Sequence, residues 1–255
     1  MYTVIAYYSG ALVTGALELL AGVADSHVRV SGNDIYLGDL NQIIAYAALG
    51  KTITDAQISS PSLRRIALED VGSVNQCAYD ADHYPWEAIW KIESPRICDR
   101  NEALNFSVVG TIADTAYGIV LLADGPIVSV SGEIFTLGFT ANLVSTMGMW
   151  TNGPITFEQT LPVGRYQVVG CDLFSTVAAK ARAFRLVPIG ESHRPGGFTR
   201  PLRTASGEDT RIQRMGSLGV WCEFDHLTPP TIDLLPGTTN VAADFDGVFD
   251  LIKVG

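Results

Sequence analysis

The side chains of this chain most able to do chemistry are carboxylates grouped over short spacings. Two such groups stand out: Asp80, Asp82 and His83, and Asp244, Asp246 and Asp250. Their oxygen atoms are of the type that Ca²⁺ prefers, but the spacing is looser than that of a calcium-binding loop. The spacing favours solvated acidic turns, so the sequence predicts no metal site.

The sequence patterns that could indicate a catalytic site are as weak as those that could indicate a metal site. Asp225 and Asp233 could act as a glycosidase pair if the fold brought them together in a cleft. The four histidines are scattered along the chain: His27, His83, His193 and His226. The sequence has no GxSxG, no GxGxxG, no phosphate loop and no HExxH, so we expect neither an enzyme nor a cofactor.

The elements that would position these residues are short strands closed by turn residues, most clearly from Ser131 to Gly255. Predicted strands begin at Ile134 and continue at Ile155–Phe157, Tyr166–Leu173, Ala181–Val187, Gly219–Phe224, Thr231–Leu235 and Val248–Val254. Turn signals such as Asn152-Gly153-Pro154 separate them. About eight strands in roughly 125 residues is the size of a sandwich or a jelly roll, which predicts a mainly β fold.

The first half has a different texture, in which short helices lie among strands. Apolar residues at helical spacing predict a helix in Ala11–Ala24, and a second helix is predicted from a cap at Asp39 to Gly50. Between them, Val28–Leu37 is typical of a hairpin turning near Gly32. A turn cluster at Asp124-Gly125-Pro126 predicts two domains, residues 1–125 and residues 126–255.

Composition excludes several classes of protein. The chain has 255 residues, of which 47% are hydrophobic, so disorder is excluded. The longest apolar runs, such as Ile119–Leu122, fall far short of the ~20 residues that span a bilayer. The residues after Met1 lack the basic segment with which a secretion signal begins. We therefore expect synthesis in a cytoplasm. The four cysteines form no CxxC pair, which favours reduced and buried thiols at Cys77, Cys98, Cys171 and Cys222.

Charge is spread unevenly along a chain of net charge −10. Residues 180–214 hold eight Lys and Arg against Glu191, Glu208 and Asp209, a local charge of 8 − 3 = +5. A basic stretch of this kind could contact nucleic acid or an acidic neighbouring subunit, or it could be a solvated loop. The candidate contact residues are Arg194, Arg200, Arg203, Arg211 and Arg214.

Large aromatic and sulfur-containing side chains occur where loops are predicted. Trp86, Trp90, Met149 and Trp150 are therefore candidate anchors of an interface between subunits. The alternative for Trp86 and Trp90 is ordinary core packing under a long loop.

One set of residues in the second half resembles a known family. The set is Leu161, Pro162, Gly164, Tyr166, Val168, Val169, Gly170, Arg185, Leu186, Val187, Arg194, Pro195, Gly196, Gly216, Leu218, Gly219, Val220, Phe224, Pro229 and Pro230. In pattern and spacing it resembles the C-terminal half of double jelly-roll major capsid proteins of small tailless icosahedral phages, over roughly residues 100–255. The resemblance implies two jelly rolls in one chain, homotrimers that form pseudo-hexameric capsomers, and an icosahedral shell.

The same resemblance implies a location in the virion, contacts with other virion proteins and non-specific contact with a packaged genome. This chain departs from the family by being short for two full barrels and by the helices predicted in its first half. The alternative function is a binding module, a lectin-like or receptor-binding β-sandwich such as a virion spike. That alternative predicts an exposed aromatic patch and stabilisation by a ligand.

Overall fold

The structure, a computed structural model, describes most of the chain. The described residues are 1–50, 53–63, 90–111, 113, 115–128, 130–144, 146–175, 181–201, 218–237 and 242–255, with the backbone alone at 90–94, 175, 200, 201 and 242–244. The chain divides into two compact units. The N-terminal unit holds Thr3–Gly125 and Gly148–Trp150, and the C-terminal unit holds Met1–Tyr2, Pro126–Met147 and Thr151–Gly255.

The first ten strands lie in two sheets. In chain order they are β1 (Tyr2–Ser9), β2 (Leu17–Leu19), β3 (Ala21–Gly22), β4 (Arg29–Ser31), β5 (Asp34–Tyr36), β6 (Gln42–Gly50), β7 (Ile53–Ser59), β8 (Trp90–Ile97), β9 (Ala103–Gly110) and β10 (Ala116–Ala123). One sheet has the order β3-β1-β10-β6-β8, and the other has the order β2-β9-β5-β4 with β7 also paired to β9. Side chains from both sheets, such as Tyr7 and Phe106 with ring centroids 5.7 Å apart, share one core.

The prediction of two helices in this half is wrong. No α-helix occurs in the residues that the structure describes, and the predicted helical segments contain β2, β3 and β6 instead. Strand β6 is buried on both faces from Ile43 to Gly50, so its apolar residues do not alternate as they would on a half-exposed strand. A short apolar run of this kind cannot be told from a helix by periodicity, and pairing with β8 and β10 decides its structure.

The predicted hairpin in Val28–Leu37 is present. Strands β4 and β5 pair in antiparallel fashion from Arg29↔Tyr36 to Ser31↔Asp34, which leaves a two-residue turn. Gly32 has φ +62°, the left-handed conformation that a type II′ turn needs at its first central position.

The remaining ten strands form two further sheets in the C-terminal unit. They are β11 (Phe135–Val144), β12 (Thr151–Gly153), β13 (Thr156–Phe157), β14 (Arg165–Ser175), β15 (Ala183–Val187), β16 (Gly196–Phe198), β17 (Arg200–Pro201), β18 (Cys222–Asp225), β19 (Thr231–Leu235) and β20 (Ala242–Lys253). One sheet has the order β13-β11-β20-β14-β17, with β18 also paired to β14, and the other has the order β12-β19-β15-β16. The described fold is thus mainly β, with several antiparallel sheets, as the sequence predicted.

Strand β11 shows how alternation builds the core of this unit. Leu137, Phe139, Ala141 and Leu143 are buried while the residues between them are more exposed. Phe139 lies opposite Gly247 of β20, and a Cβ on Gly247 would lie within 3 Å of the Phe139 ring. The glycine therefore leaves the space that the Phe139 ring fills.

The first two residues of the chain pack within the C-terminal unit. Tyr2 is 1% exposed, its hydroxyl donates to the Gly196 carbonyl over 3.1 Å, and its ring meets Trp221 edge-on at 5.6 Å. Burial raises the pKa of the Tyr2 hydroxyl well above its ordinary value, with Cys171 and Cys222 adding to the effect. Tyr2 therefore belongs to the core of the C-terminal unit.

Among the described residues, no helix has the length and hydropathy needed to cross a membrane. Cys98, Cys171 and Cys222 are buried and free, as predicted, while Cys77 lies outside the described residues. Burial raises the pKa of all three thiols, so they stay protonated and act as small apolar groups rather than nucleophiles.

Candidate interaction surface

A polar groove of about 310 Å³ lies at one end of the C-terminal unit. It is formed by the start of β14, the segment after β15, strand β18 and the turn that follows β18. The lining residues are Arg165, Ile189, Glu191, Glu223, Phe224, Asp225 and Thr228. Because Glu223 and Asp225 are two residues apart on one strand, their side chains leave the same face of β18.

Backbone hydrogen bonds between three segments hold the groove in place. The amide of His226 donates to Gly164 O over 3.0 Å, which joins the turn after β18 to the turn before β14. The amide of Arg165 donates to Gly255 O over 2.8 Å, and that of Val254 donates to Arg165 O over 2.9 Å. These bonds bring three parts of the chain to a single end of the unit.

The charges of the groove are mostly negative. Glu223 accepts hydrogen bonds from Arg165 over 2.9 Å and from Gln167 over 2.7 Å, and Asp225 accepts one from the Leu227 amide over 3.0 Å. Glu191 Oε2 lies 2.9 Å from Nε2 of His193. Three carboxylates thus face a single lining arginine, which leaves an excess of negative charge.

The histidine behind Glu191 is buried and has a defined tautomer. His193 is 4% exposed, and its Nε2 lies 2.9 Å from both Trp221 O and Glu191 Oε2. Both neighbours are acceptors, so Nε2 carries a proton, which it donates to Trp221 O while Glu191 Oε2 lies within ion-pair distance. His193 therefore orients the Glu191 carboxylate at the groove.

Aliphatic side chains stand exposed beside the acidic lining. Ile189 lines the groove and is 68% exposed, while Val163 and Leu227, each within two residues of a lining residue, are 77% exposed. Single exposed aliphatic residues are common on protein surfaces. Three of them around one acidic groove give this end of the unit the mixed character of a protein interface.

The described residues do not assemble the catalytic or metal groups considered from the sequence. Asp225 ends β18 in one sheet, while Asp233 lies on β19 in the other and is bonded to Arg185. Asp250 accepts a 2.7 Å hydrogen bond from Thr136. Among the described side chains, no three His, Cys, Asp or Glu are placed to hold a metal ion, and Asp80, Asp82 and His83 lie outside them.

The predicted interface anchors are only partly described. Met149 is 52% exposed, and Trp150 is partly buried. Both belong to the N-terminal unit by their contacts, although they follow β11 in sequence. Trp90 opens strand β8 with its backbone alone described, and Trp86 lies outside the described residues.

The basic stretch is less exposed than its sequence suggests. Arg182, Arg185 and Arg194 are 5%, 2% and 5% exposed, so three of its eight positive charges are internal. Arg194 Nη1 donates to the carbonyls of Glu191 and His193, each over 2.9 Å, and so stabilises its own loop. Arg200 has only its backbone described, in β17, and the remaining candidates lie outside the described residues: Arg203, Arg211 and Arg214.

Sequence reasoning missed the groove as a unit. Gly164 and Leu227 are 63 positions apart, and nothing in the sequence indicates that the turns that hold them meet. Gly164 has φ +152°, and a Cβ there would overlap Gly255 O. The need for glycine at that turn is the one local signal of the close approach.

Comparison of the sequence with family models and with curated proteins finds no match for this chain. Any functional proposal therefore rests on the order of the strands and on the surfaces described above.

Proposed function

We propose that this protein is a virion structural protein, a major capsid protein built from two jelly rolls. A jelly roll pairs eight strands as a long nested hairpin, first with eighth, second with seventh, third with sixth and fourth with fifth. Wrapping that hairpin around a barrel places alternate pairs in opposite sheets. The sheets then have the strand orders 1-8-3-6 and 2-7-4-5.

The C-terminal unit supports this proposal with all four nested pairs. Strands one to eight are assigned, in chain order, to β11, β12, β14, β15, β16, β18, β19 and β20. The observed pairs β11·β20, β12·β19, β14·β18 and β15·β16 are then the four nested pairs of a jelly roll. The two sheets then have the orders β11-β20-β14-β18 and β12-β19-β15-β16. This agreement is the observation that carries the proposal.

The N-terminal unit supports the same order at the positions that are described. With β1 first, β2 and β5 as a divided second strand, β6 third, β7 fourth and β8 to β10 as sixth to eighth, one sheet has the order 1-8-3-6, extended by β3 beside β1. In the other sheet, β9 pairs with β2, β5 and β7, as the seventh strand pairs with the second and fourth. No strand is assigned to the fifth position, because residues 64–89, between β7 and β8, lie outside the described residues.

A jelly roll alone does not define a function, because capsid proteins, lectins and cupins share it. Two such units in one chain favour a structural role over a catalytic one. One pair of described groups that could do chemistry, Arg185 and Asp233, is occupied in a buried structural contact. We infer homotrimers that present six barrels, made in the host cytoplasm, assembled into an icosahedral shell, and in contact with other virion proteins and with the genome.

Light scattering coupled to size-exclusion chromatography tests this proposal directly. A chain of 27.4 kDa should elute as a species of about three times that mass, and electron microscopy should show closed shells under assembly conditions. A protein that stays monomeric across concentration and salt contradicts the proposal. Monomers that are stabilised by a glycan would instead favour the lectin-like alternative.

A further inference from the structure

The acidic groove has the features of one half of a contact between copies of this chain. Its lining holds Glu191, Glu223 and Asp225 against Arg165, together with the exposed Ile189, and Val163 and Leu227 stand exposed within two residues of lining residues. A small cation would satisfy the carboxylates but would leave Val163 and Leu227 in water. A segment of protein that brings both positive charge and apolar atoms would cover both parts of the surface.

The chain itself supplies a segment of this chemistry. Residues 200–214 hold Arg200, Arg203, Arg211 and Arg214 against Glu208 and Asp209, a charge of 4 − 2 = +2 in a chain of net charge −10. They also contain Leu202 and Ile212. Guanidinium groups bind carboxylates through two parallel hydrogen bonds, which lysine cannot do.

We propose that the groove receives residues 200–214 of a second copy of this chain, with an arginine of that segment bound between Glu223 and Asp225. This inference deepens the proposed function, on which it rests, by naming one contact through which the copies assemble. The groove of one copy and the segment of the next are different surfaces, so the contact is head-to-tail and closes when the copies form a ring. Its charges are partly exposed, with 38% of the Glu223 side chain accessible, so the contact should weaken at high salt.

A synthetic peptide of residues 200–214 provides the first test. We expect saturable binding of the labelled peptide to the full chain in low salt, and at least tenfold weaker binding to a Glu223→Lys variant. Glu133→Lys makes the same charge change at another exposed position of the C-terminal unit and should leave binding unchanged. A peptide with Arg203, Arg211 and Arg214 replaced by glutamate should not bind to the wild-type chain but should regain binding to the Glu223→Lys variant.

The second test measures assembly of the full chain by light scattering. Glu223→Lys should lower the mass of the assembled species, whereas Glu133→Lys should not, and Arg211→Glu with Arg214→Glu should restore assembly when combined with Glu223→Lys. If Glu223→Lys fails to fold, Glu223→Gln removes the charge at nearly constant shape and should weaken peptide binding in the same direction.

The outcomes separate this inference from the proposed function. The inference is overturned if trimers and shells form equally well with Glu223→Lys and Glu133→Lys and if neither change alters peptide binding. That result leaves the capsid proposal intact. Peptide binding that depends on Glu223 in a protein that never forms trimers or shells supports the groove contact and overturns the capsid proposal.

Discussion

Arg185 and Asp233 form a buried ion pair, in which Arg185 Nε donates to Asp233 Oδ2 over 2.8 Å. The two residues lie directly opposite each other on β15 and β19, and Asn152 on β12 donates to the other Asp233 oxygen over 2.8 Å. Gly196 on β16 lies opposite Arg185, and a Cβ at Gly196 would overlap the backbone of β15. One row of residues therefore links all four strands of the sheet by polar contacts and close packing.

Replacing one partner of this pair should be costly. Asp233→Asn leaves the Arg185 charge buried without its counter-ion, and we expect a loss of about 3–5 kcal/mol in the free energy of unfolding. Urea denaturation followed by circular dichroism measures the loss. Arg185→Met combined with Asp233→Leu should recover most of it, because no charge then stays buried.

The matched control is the exposed pair between Arg165 and Glu223, whose side chains are 65% and 38% accessible. Glu223→Gln should cost about 0–1 kcal/mol, since solvent screens this pair. Equal losses for the two single substitutions would contradict the structural role of the buried pair.

Tyr2 should contribute to the stability of the C-terminal unit despite its place in the sequence. Tyr2→Ala removes the contact with Trp221 and the bond to Gly196, and we expect a loss of about 3–5 kcal/mol, as for other buried aromatic residues. Hydrogen exchange should report faster exchange of the Trp221 amide, which donates to Val168 O. Tyr36→Ala, in the N-terminal unit, should leave that amide unchanged.

Glu102 should make part of the stability dependent on pH. Burial acts to raise the pKa of Glu102, but hydrogen bonds from Ser60, Ser62 and the backbone outweigh it and lower the pKa below the ordinary 4.5. A lowered pKa in the folded state contributes stability above the unfolded value, and that stability is lost as pH falls through the folded value.

The measurement compares wild type with Glu102→Gln by urea denaturation at several pH values. The difference in unfolding free energy should be largest near neutral pH and should shrink as pH falls below about 4.5. Glu133→Gln, at an exposed loop position, should show no such trend. A difference for Glu102→Gln that is constant with pH would refute the effect.

Gly118 should resist even a small side chain. Its missing Cβ would lie 2.5 Å from two carbon atoms of the Phe106 ring, which packs from the other sheet of the N-terminal unit. Gly118→Ala should therefore cost about 1–3 kcal/mol in thermal or urea unfolding, because the ring must move. Gly38→Ala, with open space around it, is the control, and an equal cost at both positions would argue against the packing explanation.

Strands with strong local patterns could be predicted from the sequence. Thr231–Leu235 has the predicted bounds, and the strand predicted at Tyr166–Leu173 lies within β14. In β20 the prediction began six residues late, because Asp244 and Asp246 were assigned to an acidic turn. Both lie within the strand, where Asp246 is exposed beside the buried Phe245, as period-two alternation requires.

Features that depend on distant partners could not be predicted. The structure of β6 is decided by its neighbours β8 and β10, about 50 to 70 residues further along the chain, rather than by its own propensity. The burial of Arg185 depends on Asp233 in the same way, so its charge was assigned to a basic stretch. Local sequence carries the strand pattern, whereas the sheets and the groove depend on pairing between distant segments.

The position of Tyr2 has a consequence for folding during synthesis. Tyr2 and its hydrogen-bond partner Gly196 are 194 residues apart, so at about 5–20 residues per second the ribosome needs about 10–40 s to add the residues between them. Until then, the start of β1 has no core to enter, and its aromatic ring remains exposed to other chains. Burial of Tyr2 therefore follows synthesis of Gly196 and Trp221, so the core of the C-terminal unit is complete only after most of the chain has been made.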